Sequence, residues 1–486
     1  MSGRDAAVPY ARSTPTIATA VVAASYAVLG ATLLFSRLAG LGKSFWQDEI
    51  IFVNGFLGDG LGHILRGPDL SHELYAVLGW STWQVFPESE TALRLWSAIP
   101  FIVGVVIVSA WLHTRLAPLA GLLYLFLATV SPLLLDITRQ ARGYGLAFCA
   151  MSVVVVGALE ATRTRRALPV AAMCVAGVVG TWTLPQLGIA FLAVGAVVAV
   201  NRDLRRATVV GIGASVIAVL AWYAPHLRQV QESSQIDSGF RIGTAWLLTA
   251  PFDFILTPAL LWIEGTYVIA GVIWLPVVLL SAIVMASSPY IRERGSALIL
   301  CAGPIATIVF LWATQAYVVP RYLSYLLVPL FVLLASGAAS IFGRLVTRPA
   351  IVRTLVCVVG IALLAVNFTS VAGDLVRLPR EANRDAADVI EARAPRGAPV
   401  LAYIHVPQGN PPSLQFYLDR RVHVLTRSQV VGRVCNESEP VVYVTQPFRL
   451  RGVEVPCLSR PGTEHYSLRQ YARGGEIGVW IVPPAS

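Results

Sequence analysis

Eleven stretches of this chain are apolar over roughly the thickness of a bilayer, and no other feature restricts the fold as strongly. They begin near Ile17, Leu95, Ala117, Tyr144, Leu168, Gln186, Ala207, Leu260, Ser296, Tyr322 and Ile351. A spanning helix needs about 20 predominantly apolar residues. Lipid offers the backbone no hydrogen-bond partners, so such runs fold as helices. Only 13% of the residues are charged, whereas 56% are hydrophobic. Soluble domains carry about 25% charge, so a soluble core is excluded. The expected fold class is a polytopic α-helical membrane protein with about eleven transmembrane helices. The first run, Ile17 to Leu38, exceeds the length of a signal-peptide core and is read as a retained helix.

The charge pattern orients these helices. With the N-terminus inside, the inner segments carry fourteen arginines, whereas the outer segments before the last helix carry eight basic residues. That asymmetry follows the positive-inside rule. It also accounts for the +10 net charge, because the arginines fall in short clusters between apolar runs. Nucleic acid is therefore excluded as a partner. Residues 1–16 form a cytoplasmic tail, 17–375 the membrane unit, and 376–486 an extracytoplasmic domain. Two outer loops are long: about 40–94, and about 225–259, which holds His226. Chemistry is expected on that face of the plasma membrane.

After about residue 375 the composition changes. A helical period places Ala387 and Ile390 on one face. Apolar strand-like runs follow at Pro399 to Ile404, Val422 to Leu425, Val441 to Val444 and Ile477 to Val482, with a helix-like piece at Leu414 to Leu418. Alternating helix and strand implies a small α/β domain. Cys435 and Cys457 lie in this polar segment without metal-ligand spacing, and an oxidising compartment permits a disulfide between them.

Four groups carry chemical potential. Asp48-Glu49 follows the first apolar run, and carboxylates beside hydrocarbon are costly. The pair suits proton abstraction or cation binding, and equally a helix N-terminus favoured by the macrodipole. Adjacent helical positions diverge by about 100°, so at most one of the two faces a shared site. His72-Glu73, with Tyr75, closes the same loop. Together with Asp48 it offers a base plus ligands for a divalent cation, although its spacing does not favour a metal. Arg139 and Arg142 stand three apart, as do Asp136 and Arg139, and can share a helix face. A guanidinium fork suits phosphate, and snorkelling at the interface is the plainer reading. Arg321-Tyr322 adds a further cation at the outer end of a late helix.

In this order the four groups resemble the GT-C superfamily of polyprenyl-phosphate-sugar-dependent glycosyltransferases. The likeness is to the protein-O-mannosyltransferase and aminoarabinose-transferase branch, especially its actinobacterial members. Asp48-Glu49 matches the pair after the first helix, and His72-Glu73-Leu74-Tyr75 matches a His-x-x-Tyr pattern. Gln140-Ala141-Arg142-Gly143-Tyr144 matches a Gln-x-Ala-Arg-Ser-Tyr segment, with Gly143 in place of Ser. Arg321-Tyr322 matches an Arg-Tyr that opens a late helix, and Glu90 to Trp96 the entry into the second helix. The likeness covers about residues 15–375.

The resemblance implies inverting transfer of a sugar, mannose or arabinofuranose, from a polyprenyl-phosphate donor. The acceptor is a hydroxyl of a cell-envelope glycan, glycolipid or protein. A phosphate leaving group needs no protonation, so one base suffices, whereas glycoside hydrolysis uses two carboxyl groups. Asp48 is the implied base, with Glu49 structural or accessory beside it. Arg139, Arg142, Arg321 and Tyr322 are implied to hold the donor phosphate, and His72, Glu73, Tyr75, Tyr144 and His226 the acceptor or sugar. No cofactor is required, and a divalent metal is not favoured. The lipid tail is expected to lie between helices. A transporter of a lipid-linked anion is the alternative, since it would use the same arginines.

Overall fold

The structure is a computed structural model. It describes residues 17–58, 60–65, 72–87, 89–224, 240–241, 295–314, 317–318, 320–345, 381–404, 413–446, 450, 453–470 and 476–485. The apolar runs expected near Leu260 and Ile351, and His226, lie outside the described residues.

The other nine runs fall on helices. The first eleven described helices, in chain order, are α1 (Ile17–Leu38), α2 (Gln47–Phe52), α3 (Leu61–Ile64), α4 (Glu73–Val85), α5 (Glu90–Arg115), α6 (Pro118–Val130), α7 (Pro132–Ile137), α8 (Tyr144–Thr164), α9 (Ala167–Thr183), α10 (Leu187–Val200) and α11 (Arg202–Tyr223). Then come α12 (Ser296–Thr314), a 3-10 turn (Pro320–Leu326) and α13 (Leu327–Leu345). Among the described residues, five helical segments are long and apolar enough to cross a bilayer, while α6, α9, α10 and the apolar part of α1, Val22–Leu38, are shorter. Val28, Phe35, Val103, Val106, Val210, Ile217 and Leu298 stand exposed on the outside of the bundle. Such a girdle suits lipid rather than water.

Helix α8 is the hub. It packs on α5, α9, α10 and the 3-10 turn, and its contact with α5 relies on a missing side chain. A Cβ on Gly145 would fall 1.9 Å from the Ser97 carbonyl oxygen, so the two backbones touch. Where lipid removes the hydrophobic drive between helices, such small-residue contacts carry the packing. The consequence for the site is positional. The N-termini of α5 and α8 are brought to the same end of the bundle as the C-termini of α1, α9 and α11.

Two short strands, β1 (Phe240–Arg241) and β2 (Tyr317–Val318), pair antiparallel, and the C-terminal part is a five-stranded mixed sheet. Its strands are β3 (Val400–Tyr403), β4 (Val422–Val424), β5 (Val441–Thr445), β6 (Glu464–Arg469) and β7 (Glu476–Val482), in the order β4-β3-β5-β7-β6. β3 runs parallel to β4 and β5, and β7 antiparallel to β5 and β6. The two-residue period sorts the side chains. Val400, Ala402, Val442, Val444 and Val479 pack with α14 (Asn383–Arg393) through Ala387 and Ile390. Leu401, Tyr443, Trp480 and Val482 pack on the other face with Val434 and Cys435 of a short helix, Val430–Cys435. Cys435 and Cys457 are disulfide-bonded. β6 has no apolar run in the sequence because it is an edge strand with largely exposed side chains.

Candidate active site

Asp48 and Glu49 both lie in the first turn of α2, and the helix separates them. Glu49 is fully buried. Its Oε1 accepts from Arg94 Nε at 2.9 Å and from the Ala141 amide at 2.5 Å. Its Oε2 accepts from Arg94 Nη2 at 2.6 Å and from the Trp46 amide at 3.1 Å. A carboxylate has about four acceptor positions, and all are taken. Glu49 is thus corrected from a catalytic candidate to the anchor of the helix, completing half a capping box with Trp46.

Arg94 is equally saturated. Its Nη1 donates to the carbonyls of Leu41 at 2.7 Å and Lys43 at 2.6 Å, and Nη2 also reaches the Ser44 carbonyl at 3.2 Å. With the two bonds to Glu49, each of the guanidinium's N–H groups has a partner in the protein. The result is a loop wrapped around one side chain from α5.

Asp48 stands differently. Its side chain is 24% exposed, and Oδ2 pairs with Arg321 Nη2 at 2.5 Å. Arg142 Nη2 donates to the Asp48 backbone carbonyl at 2.6 Å. Aromatic faces back both cations: Arg321 lies 5.3 Å over Trp46, and Arg142 lies 5.8 Å over Phe52. Such contacts favour a guanidinium that has left bulk water.

His72 lies beside this pair. Its backbone adopts φ 73°, the left-handed region, which costs a non-glycine residue about 1–2 kcal/mol. The position is held because its amide donates to the Thr183 carbonyl at 2.9 Å. The ring meets Tyr144 edge-on at 4.7 Å and Tyr322 at 5.7 Å. It is buried, and neither ring nitrogen has a hydrogen-bond partner among the described residues. Burial, then Arg142 and Arg321, push its pKa well below the ordinary histidine value. A neutral imidazole carries one donor and one acceptor, and both are available to a ligand. Gly143 lies against it: a Cβ there would come within 2.9 Å of His72 Nδ1 and 2.5 Å of Thr183 Cγ2. The serine of the expected motif would not fit without displacing them.

Other expected residues go elsewhere. Tyr75 is fully buried and its hydroxyl donates to the Leu93 carbonyl at 2.7 Å, so it braces α4 on α5 rather than meeting substrate. Arg139 donates to the Ala39 carbonyl at 2.5 Å and does not share a helix face with Arg142. Residues 138–143 form turns between α7 and α8, which breaks the three-residue helical spacing. Glu73 is buried and accepts from Trp222 Nε1, whose ring stacks on Trp182 at 4.9 Å. Among the described residues, no three of His, Cys, Asp and Glu gather as metal ligands.

No protein-family model matches the chain, and no curated protein matches it in sequence. The fold does have solved counterparts. The crystal structure of ArnT from Cupriavidus metallidurans bound to undecaprenyl phosphate superposes with a TM-score of 0.54 at 14% identity, covering 95% of this chain and 98% of that one. The apo state of the same protein gives 0.53 at 14% identity, covering 96% and 98%. The chain has the GT-C fold.

Within this GT-C bundle the structure brings together Asp48, Arg142, Arg321, Tyr322, Tyr144 and His72. Arg94, Glu90 and the Trp182–Trp222 pair are the contributors that sequence reasoning missed. Arg94 and Glu90 had only a weak signal, two charges four apart opening an otherwise apolar helix.

Proposed function

We propose that the protein is an inverting glycosyltransferase. It moves a sugar, mannose or arabinofuranose, from a polyprenyl-phosphate donor to a hydroxyl of a cell-envelope glycan, glycolipid or protein. The reaction takes place on the outer face of the plasma membrane, with the N-terminus cytoplasmic and the C-terminal sheet extracytoplasmic. The observation that carries this reading is the partly exposed Asp48 carboxylate paired with Arg321, beside Arg142. The GT-C fold, seen elsewhere in a protein crystallised with undecaprenyl phosphate, supports it.

In the reaction the acceptor oxygen attacks the anomeric carbon as the bond from that carbon to the phosphate oxygen breaks. The bonding pair leaves with the phosphate, and the acceptor proton passes to Asp48. Arg321 meets two anions in turn. Bound to Asp48 it neutralises the base; drawn to an arriving phosphate by a charge-assisted, bidentate contact, it releases Asp48 to accept a proton. Arg142 and Arg321 then stabilise the charge that develops on the leaving phosphate. His72, neutral, orients a sugar hydroxyl with Tyr144 and Tyr322 around it.

Purified protein given polyprenyl-phosphate-mannose or -arabinose with a panel of acceptors tests the reading. Free polyprenyl phosphate and glycosylated acceptor should accumulate together. Movement of intact donor across a vesicle without release of polyprenyl phosphate would identify a transporter instead.

A further inference from the structure

The segment 41–46 that leads into Asp48 has no helix or strand of its own, yet each of its carbonyls is engaged. A chain without a ladder must satisfy its polar groups by side chains or water. Here two separate parts of the protein divide the work. Arg94 of α5 takes the carbonyls of Leu41, Lys43 and Ser44. The C-terminal domain takes the two that fall between and beyond. Arg384 Nη1 donates to Gly42 O at 3.1 Å, and Asn383 Nδ2 lies 3.5 Å from Phe45 O. Trp46 O accepts the amides of Glu49 and Ile50 in the first turn of α2.

The same domain holds the segment's other groups. The Phe45 amide donates to Tyr417 Oη at 2.5 Å, and Ser44 Oγ donates to Glu381 O at 2.5 Å. The Phe45 ring lies between Phe416, edge-on at 6.0 Å, and the Arg94 guanidinium at 5.2 Å. One residue ties the two holders together. Glu90, one turn before Arg94 on α5, accepts from Tyr417 Oη at 3.2 Å and pairs with Arg384. Arg384 in turn lies 5.3 Å over the Tyr417 ring.

We propose that the C-terminal domain is a positioning clamp for Asp48, with Tyr417, Arg384 and Asn383 as positioning residues that act through the segment 41–46. A catalytic group must be held within about 0.5 Å of its productive place by supporting contacts. Arg94 fixes one side of the segment, and the domain fixes the other. Asp48 stands three positions after Phe45, so freedom admitted at Phe45 is carried straight to the first turn of α2. None of these residues touches the Asp48 carboxylate, which makes them positioning rather than catalytic groups.

The activity arm of the test rests on the glycosyltransferase reading; the exchange arm does not. Tyr417→Phe keeps the ring and removes only the hydroxyl, and with it the acceptor for the buried Phe45 amide and the donor to Glu90. The expected result is a fall of about tenfold in kcat, as for an orphaned buried donor, with both KM values within about twofold. Hydrogen exchange at the Phe45 amide should speed up, while exchange in β5 and β7 stays at the wild-type rate. Ser44→Ala, which leaves the sheet domain untouched, should show the same pattern at about two- to threefold, and stands in if Tyr417→Phe does not fold. Unchanged exchange at Phe45 overturns the clamp, as does a loss confined to KM. So does a lower melting temperature with kcat unchanged. If the wild-type protein releases no polyprenyl phosphate, the functional reading fails while the exchange measurement still decides the clamp.

Discussion

In the segment 41–46 and its anchor Glu49, one guanidinium and one carboxylate have a protein partner at each donor and acceptor position. Next to it, on the side of Asp48, the buried His72 ring has no hydrogen-bond partner among the described residues. The two regions are neighbours, drawn from the same stretch of chain, and they treat polar groups in opposite ways. Buried polar groups are almost always satisfied, so the first region is what a protein does to hold a shape. The second has the mark of a place that expects a ligand. What separates them is one residue step along α2: Glu49 turns into the saturated region and Asp48 turns out of it.

If that division is right, the two carboxylates must fail in different ways. Asp48→Asn should lower transfer by about a thousandfold, in the range lost with a general base, and leave the melting temperature unchanged. A variant that transfers sugar at the wild-type rate while folded and inserted sinks the base assignment. Arg94→Leu should do the reverse, destabilising the protein by about 3–5 kcal/mol because it strands a buried carboxylate. Pairing it with Glu49→Leu should recover part of that loss in a double-mutant cycle followed by thermal melts in detergent. A double variant no better than Arg94→Leu would mean that the ion pair is not the holding element.

The sequence already contained part of this division. Bilayer-length runs read directly as helices because lipid leaves the backbone no other choice, and nine of them meet described helices. The divergence of neighbouring helix positions foretold that Asp48 and Glu49 would part. It did not say which would be buried, because that depends on Arg94, 45 residues later. The place of Tyr75 is hidden from local pattern for a similar reason. Its hydroxyl answers to the Leu93 carbonyl, a contact across two helices that no local spacing announces. Arg139 and Arg142 were placed on one helix face by a three-residue period that holds only if the segment is helical, and 138–143 is a set of turns. The contacts of Tyr417 and Arg384 with the segment 41–46 are the least visible of all, since more than 330 residues separate the partners. β6 escaped because an exposed edge strand carries no apolar signal.

His72 offers a finer test of the receiving side. Its left-handed backbone limits the replacements, and asparagine is one of the few residues that tolerate φ above zero. His72→Asn should therefore fold with a melting temperature close to wild type, having broken no side-chain hydrogen bond among the described residues. Its KM for the sugar-bearing substrate should rise by about tenfold, the worth of one hydrogen bond to a ligand in a buried site. A large loss of stability with KM unchanged would move His72 from the receiving region into the structural one.

Lys43 gives the smallest effect and probes the boundary itself. It is the chain's single lysine, half-buried in the saturated segment between cations. Burial, then Arg139 and Arg94, push its pKa down to about 7 from the ordinary 10.5. Between these values the unfolded chain binds a proton that the folded chain has shed, so stability rises with pH across that window. Below about pH 7 the lysine is charged in both states and its penalty is full; above 10.5 it is neutral in both and the penalty is gone. Lys43→Met should accordingly melt higher than wild type near pH 6, and the gap should narrow steadily toward pH 10. Parallel melting curves would show that the segment accommodates the ammonium without cost, and that its polar groups are arranged for the cation as well as for the backbone.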